Sequence, residues 1–97
     1  MSARVTAALW VGAYLRRLEA AGIPAFVMRR GSAEAGEVIV KVATMDGQAR
    51  ALHPAPGRDE WMILAEGAER EVDAVLSRTA GRDPDLWILE IEDRAGR

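Results

Sequence analysis

The spacing of apolar positions along this chain switches from helical to alternating and back. Between Thr6 and Ala21, Val11, Leu15 and Leu18 stand at i, i+4 and i+7 and form one stripe. Tyr14 flanks the stripe, while Arg16 and Arg17 fall on the solvent side with Thr6 and Ala13. This predicts a first helix over 6–21, stopped by Gly22 and by Pro24 two residues on. The period then drops to two. A first strand is expected over 24–30, with Phe26 and Met28 on one face and Ala25, Val27 and Arg29 on the other. Val38, Val40 and Val42 alternate with Glu37, Ile39 and Lys41 in a second strand. Gly31 and Gly36 bracket the small and polar residues between these strands. That pattern predicts a hairpin whose glycines supply positive φ.

Asp46-Gly47 signals the next hairpin, leading into a short third strand over 49–53. Pro54-Ala55-Pro56-Gly57 breaks any ladder and is expected to be a surface loop. A fourth strand follows over 61–65. Helical spacing returns with Val72, Val75, Leu76 and Thr79, predicting a second helix over 68–80 with Gly81 as its cap. Glu69 and Glu71 in its first turn and Arg78 in its last match the helix dipole. Asp83-Pro84-Asp85 reads as a turn. The last strand, over 86–91, sets Trp87, Leu89 and Ile91 on one face and Leu86, Ile88 and Glu90 on the other. Residues 93–97 form a polar tail.

The predicted order is α-β-β-β-β-α-β. Strands joined by short turns pair antiparallel. The expected fold is therefore α+β, an antiparallel sheet of four to five strands packed against two helices. One or both helices are expected to cover one face of the sheet, in a two-layer sandwich. The 97 residues make a single domain, 1–97, with no internal repeat and no low-complexity linker.

Composition narrows the function classes. With 49% hydrophobic and 29% charged residues the chain has the make-up of a folded domain, which excludes disorder. It has no cysteine, which removes thiol nucleophiles, thiolate metal sites and disulfides together. The net charge of −2 hides an asymmetry. Residues 1–50 carry seven Lys/Arg against four Asp/Glu, and residues 51–97 carry six Arg against eleven Asp/Glu. Interleaving of the two halves in one sheet is expected to cancel it. The stretch from Val5 to Leu15 faintly resembles a signal-peptide core. However, Arg16 and Arg17 follow where a cleavage site would stand, and the stretch is far short of the roughly 20 apolar residues of a membrane span. No membrane association is expected, and the cytoplasm is the expected compartment.

No catalytic signature stands out. His53 is the only histidine, and it is expected to be a solvated loop residue. Gly31 and Gly36 open no phosphate loop, and Ser2, Ser32 and Ser77 sit in no nucleophile elbow. Glu90 and Glu92 share a strand face roughly 7 Å apart, with Asp93 adjacent. The three could hold a divalent metal or act as an acid–base pair, but a solvated strand end is the favoured explanation, because no Asp-rich loop or second carboxylate cluster supports a metal. Arg16, Arg17, Arg29, Arg30 and Lys41 are the main candidates for contacting an anion or an acidic partner. Nucleic acid is disfavoured, because no aromatic residues interleave with these cations. Trp10, Trp61 and Trp87 read as core edges or interface anchors. The strands near Val40 and Ile88 are apolar on both faces, which suggests that a second copy covers one face of the sheet in a homodimer.

Several blocks together resemble a known family. They are Trp10-Val11, Ala13-Tyr14-Leu15-Arg16-Arg17, Arg29-Arg30-Gly31, Ala35-Gly36, Val40-Lys41-Val42, Asp46-Gly47, Pro54-Ala55-Pro56 and Asp83-Pro84-Asp85-Leu86-Trp87, ending in Glu90-Ile91-Glu92-Asp93-Arg94. The chain resembles the family catalogued as domain of unknown function 1491, found mostly in alphaproteobacteria. The resemblance spans nearly the whole chain, and its last block is the most specific. It implies a single-domain cytoplasmic protein with no assigned activity, and it supplies no catalytic residues. Members of that family usually continue past the final Gly-Arg with a short aromatic-containing segment, and this sequence ends at Gly96-Arg97.

The functional expectation is a small non-enzymatic binding or adaptor module with no cofactor. Its contact surface would be the five cations, meeting a protein partner. The alternatives are a carboxylate enzyme at Glu90, Glu92 and Asp93, with or without a divalent metal, and a weak nucleic-acid binder.

Overall fold

The second strand, β2 (Val38–Ala43), is buried at all six positions, Lys41 included. Burial without alternation means that both faces of the strand are covered. The computed structural model, which describes residues 6–34, 36–54 and 61–93, shows how. The elements are α1 (Ala7–Ala20), β1 (Ala25–Arg29), β2, β3 (Gln48–Pro54), β4 (Trp61–Ala68), α2 (Glu69–Arg82) and β5 (Trp87–Glu92). The five strands form one sheet in the order β1-β5-β2-β3-β4. β2 and β5 run parallel, and every other neighbouring pair is antiparallel. The sheet is thus mixed rather than wholly antiparallel.

The two helices lie on opposite faces, giving three layers rather than the expected two. Ala7 and Val11 of α1 pack on Val38, Val40, Val42, Trp87, Leu89 and Ile91. Val72 and Leu76 of α2 pack on the alternate set, Ile39, Ala49, Ala51, Leu86 and Ile88. Val40, Val42 and Leu89 are almost wholly enclosed. Each contributes roughly 1.5–3 kcal/mol through removal of its side chain from water. The apolar strand faces near Val40 and Ile88 are therefore covered from within the chain, by one helix on each side.

The helix ends follow local chemistry. The Thr6 hydroxyl caps α1 by accepting from the Leu9 N–H at 3.2 Å. The Ala7 and Ala8 N–H groups donate to the carbonyls of Glu34 and Ala33, so α1 begins against the β1–β2 connection. At its other end Gly22 takes φ 73°, the Gly22 N–H reaches the Glu19 carbonyl, and the Ile23 N–H reaches the Leu18 carbonyl. This is a Schellman stop, with Ile23 and Leu18 both against the core. α2 has no side-chain cap; instead the Glu69 N–H donates to the Gly47 carbonyl in the β2–β3 turn. Gly81 lies inside α2, which runs on to Arg82 and ends at Asp83.

The largest departure from expectation concerns the connection between β1 and β2. These strands do not pair; β5 lies between them. Gly31 and Gly36 are not positive-φ turn residues. The connecting segment crosses the start of β5, and both glycines press against the carbonyl of Asp85. By contrast, Asp46-Gly47 does turn a hairpin, with positive φ at Met45 and Gly47. His53 belongs to β3, opposite Met62, rather than to a loop. Pro54, expected to break the ladder and open a loop, is instead the last residue of β3, opposite Trp61. The rest of that expected loop, 55–57, and residues 94–97 of the expected tail lie outside the described residues.

Candidate functional site

Three groupings concentrate the unusual side chains. The first surrounds Lys41. On the α2 face of the sheet its Nζ lies 2.7 Å from Glu69 Oε2, 2.7 Å from Asp73 Oδ1 and 3.3 Å from Glu90 Oε1. Glu69 and Asp73 are one turn apart on α2, and Glu90 is the residue beside Lys41 on β5. The Lys41 side chain is only 4% exposed. Burial pulls its pKa down, but hydrogen bonds to Asp73 and Glu69 and the charge of Glu90 outweigh it and hold the ammonium above the ordinary lysine value. Lys41 comes from the cationic half of the sequence and its three partners from the anionic half. Here the two halves meet within one molecule.

The second grouping joins the β1–β2 connection to the turn before β5. The Ser32 N–H donates to the Asp85 carbonyl at 3.0 Å, and Trp87 Nε1 donates to the Ser32 carbonyl at 2.6 Å. Arg29 Nη2 reaches the Pro84 carbonyl at 3.5 Å, and the Arg30 guanidinium lies 5.8 Å above the Trp87 ring. Asp83 Oδ1 accepts from the Asp85 N–H, which rigidifies the turn. Two sequence blocks some fifty residues apart thus form one structural knot, and Arg29 and Arg30 serve within it.

The third grouping is apolar. Sheet edges carry unpaired backbone groups, and β4, eight residues long, is one edge. Along it Trp61, Met62, Ile63 and Leu64 are 39, 50, 57 and 40% exposed. Trp61 leans on α1, its ring 6.0 Å from Trp10 and 5.8 Å from Tyr14, and those two rings stack at 4.9 Å. Burial pushes the Tyr14 phenol up, partly offset by Arg17. At the opposite edge, β1 exposes Phe26, Val27 and Met28, but that strand is shorter and closed by Arg29; both edge strands are bulged, β1 at Met28 and β4 at Leu64.

The five cations singled out in the sequence do not come together. Lys41 is enclosed on the α2 face. Arg16 and Arg17 are exposed on α1, about 13 Å along the helix axis from its start beside the β1–β2 connection. Arg29 and Arg30 belong to that connection. Of the three carboxylates, Glu90 is taken by Lys41, while Glu92 and Asp93 continue β5, their N–H groups donating to the carbonyls of Pro24 and Ala43. Among the described residues no group of three or more His, Asp or Glu side chains is arranged to hold a metal ion. Also among them, no helix is long and apolar enough to cross a membrane.

Of the apolar run in β4, sequence reasoning points to Trp61 alone, as a core edge or interface anchor. Met62, Ile63 and Leu64 are expected only as part of a fourth strand, and the sheet order is what puts them at an edge.

The family model "Protein of unknown function (DUF1491)" matches residues 5–97. The fold is similar to a crystal structure of a DUF1491 family protein from Caulobacter crescentus CB15, with a TM-score of 0.85 and 43% identity over 96% of this chain and 90% of that one. An NMR structure of a DUF1491 family protein from the same organism gives a TM-score of 0.79 and 39% identity over 99% and 92% of the two chains. A solution structure of a protein from Agrobacterium tumefaciens gives 0.77 and 31% over 93% and 86%. No curated protein matches the chain. The chain belongs to the DUF1491 family, to which no activity is assigned.

Proposed function

We propose that this domain is a non-enzymatic binding module whose contact surface is the β4 edge, where it receives an extended segment of a protein by strand addition. One observation carries the reading: Trp61, Met62, Ile63 and Leu64 stand exposed side by side on an edge strand. Free backbone N–H and C=O groups along such a strand supply affinity, and apolar side chains on both of its faces supply area. The contact surface is thus apolar rather than the cationic set, whose members lie apart. The reading takes the module to act in the cytoplasm. It is supported there by the packing of Ala7 and Val11 into the core, which makes the apolar N-terminal stretch part of the folded domain.

The test is a photo-crosslinking amino acid placed in living cells at Ile63 and, as a control, at Arg17 on α1. Protein adducts at Ile63 and none at Arg17 are expected. No protein adduct at Ile63, or equal adducts at both positions, would overturn the reading.

A further inference from the structure

We infer that α2 is a latched lid: Lys41 holds its first turns against the sheet, and the helix swings off β3 and β4 while α1 and the strands stay folded. The inference concerns α2 alone and stands independently of the β4 reading.

The two helices are held unequally. Besides the buried Ala7 and Val11, α1 sets Trp10, Tyr14, Leu15 and Leu18 against its side of the core. α2 buries only Val72 and Leu76, and the surface around them includes Ala49, Ala51, Ala65 and Ala80. Alanine offers little apolar area, so α2 gains less from leaving water than α1 does. An element with few buried apolar contacts opens locally, at a lower free energy than the core.

The attachment of α2 also differs between its ends. At the start, Glu69 and Asp73 each lie 2.7 Å from Lys41 Nζ, and the Glu69 N–H donates to the Gly47 carbonyl. Both carboxylates are partly in water, at 40 and 52% exposed, so these bonds break without unfolding the sheet. Just before this turn stands Gly67, with φ 142° and no atom beyond its chain neighbours within 4 Å of where a Cβ would be. That backbone is free to pivot. At the far end the chain passes through the Asp83–Asp85 turn into β5, where the Ser32 N–H holds the Asp85 carbonyl and Leu86 is buried. One end is anchored, and the other carries an ionic latch beside a pivot.

Opening has a chemical consequence. Lys41 is the only lysine in the sequence, and its side chain is 4% exposed beneath Glu69 and Asp73. A closed lid hides its amine, and a raised lid presents it to solvent. The lid therefore gates the one lysine side chain that acylation or other amine chemistry could modify.

The experiment acylates the full chain with a water-soluble N-hydroxysuccinimide ester and follows Lys41 by peptide mass mapping. Native-state hydrogen exchange is recorded along the same urea series. Lys41 acylation and exchange at Val72 to Leu76 are expected to depend on urea less steeply than exchange at Val40, Val42 and Leu89. Raising one helix exposes less surface than unfolding the domain. Glu69→Gln combined with Asp73→Asn should speed Lys41 acylation about tenfold, since each removes a partly exposed ion pair. Asp73→Asn alone, the milder change, should speed it about two- to fivefold and keeps the test decisive should the double variant not fold. The same urea dependence at Lys41, α2 and β2, or acylation indifferent to the substitutions, would overturn the inference.

Discussion

Gly31 lies so close to Asp85 that a Cβ on the glycine would fall on the aspartate's carbonyl oxygen. The same oxygen accepts the Ser32 N–H, and Gly36 presses on it from the other side. Three parts of the connecting segment thus converge on one backbone atom at the start of β5. Neither glycine has positive φ, so the demand for glycine is steric rather than torsional.

Gly31→Ala and Gly36→Ala should each destabilise the fold by about 3 kcal/mol, because backbone has to move to relieve the overlap. Urea denaturation measures this directly. Gly81→Ala is the contrasting case. That residue sits inside α2, with nothing within 4 Å of its added Cβ. It should stabilise by about 0.5–1 kcal/mol.

Lys41→Met should cost about 3 kcal/mol, because it leaves carboxylates without their cation at a partly enclosed site. Adding Glu90→Gln in that background should recover part of the loss, since the Glu90 side chain is only 15% exposed. Asp73→Asn should cost less than about 1 kcal/mol, because that carboxylate is half in water. Denaturation of the single and double variants checks all three.

The same lysine sets an alkaline limit. Its folded pKa is raised above the ordinary 10.5. Its contribution is therefore fully present below that value and is lost as pH rises through the folded pKa. The stability difference between wild type and Lys41→Met should stay constant from pH 7 to about pH 10 and shrink above it. A difference that stays flat to the highest pH at which the fold survives would contradict this.

Trp87→Phe should destabilise by about 1–3 kcal/mol, since it strips the Ser32 carbonyl of its indole donor and puts a smaller ring under Arg30. Thermal unfolding followed by far-ultraviolet circular dichroism reports it without relying on tryptophan emission.

Asp46 Oδ1 accepts from the Thr44 hydroxyl at 2.6 Å and from the Gln48 N–H at 3.1 Å, which holds its carboxyl below the ordinary 3.8. A carbon-13 titration of the Asp46 carboxyl should give a midpoint below 3.8, and Thr44→Val should raise it.

Periodicity of apolar residues was enough to place both helices and all five strands to within a few residues, along with the hairpin at Asp46-Gly47. Those features depend on neighbours in sequence: a stripe at helical spacing, an alternation, or a glycine that relaxes φ. The family resemblance was equally legible, and the family model that matches residues 5–97 bears it out. Gly31 and Gly36 were visible as a pair but were assigned the wrong physical reason, because a close approach to Asp85 cannot be read from residues 31–36 alone. Lys41 looked like one of five surface cations, since nothing local shows that Glu69, Asp73 and Glu90 will surround it. Trp61 to Leu64 is legible as a strand but not as an edge, because an apolar run has the same composition at a sheet's centre and at its edge.

The sequence by itself determined which segments are helices and strands, which of their faces are apolar, and that the chain is a DUF1491 protein. Only the tertiary structure decided that β5 enters between β1 and β2, that the helices take opposite faces, that Lys41 is enclosed and that β4 is left open. The physical reason is range. Backbone propensity and apolar period act over a few residues, whereas strand order is settled by contacts between segments some fifty residues apart, where each apolar face is buried against whichever element reaches it.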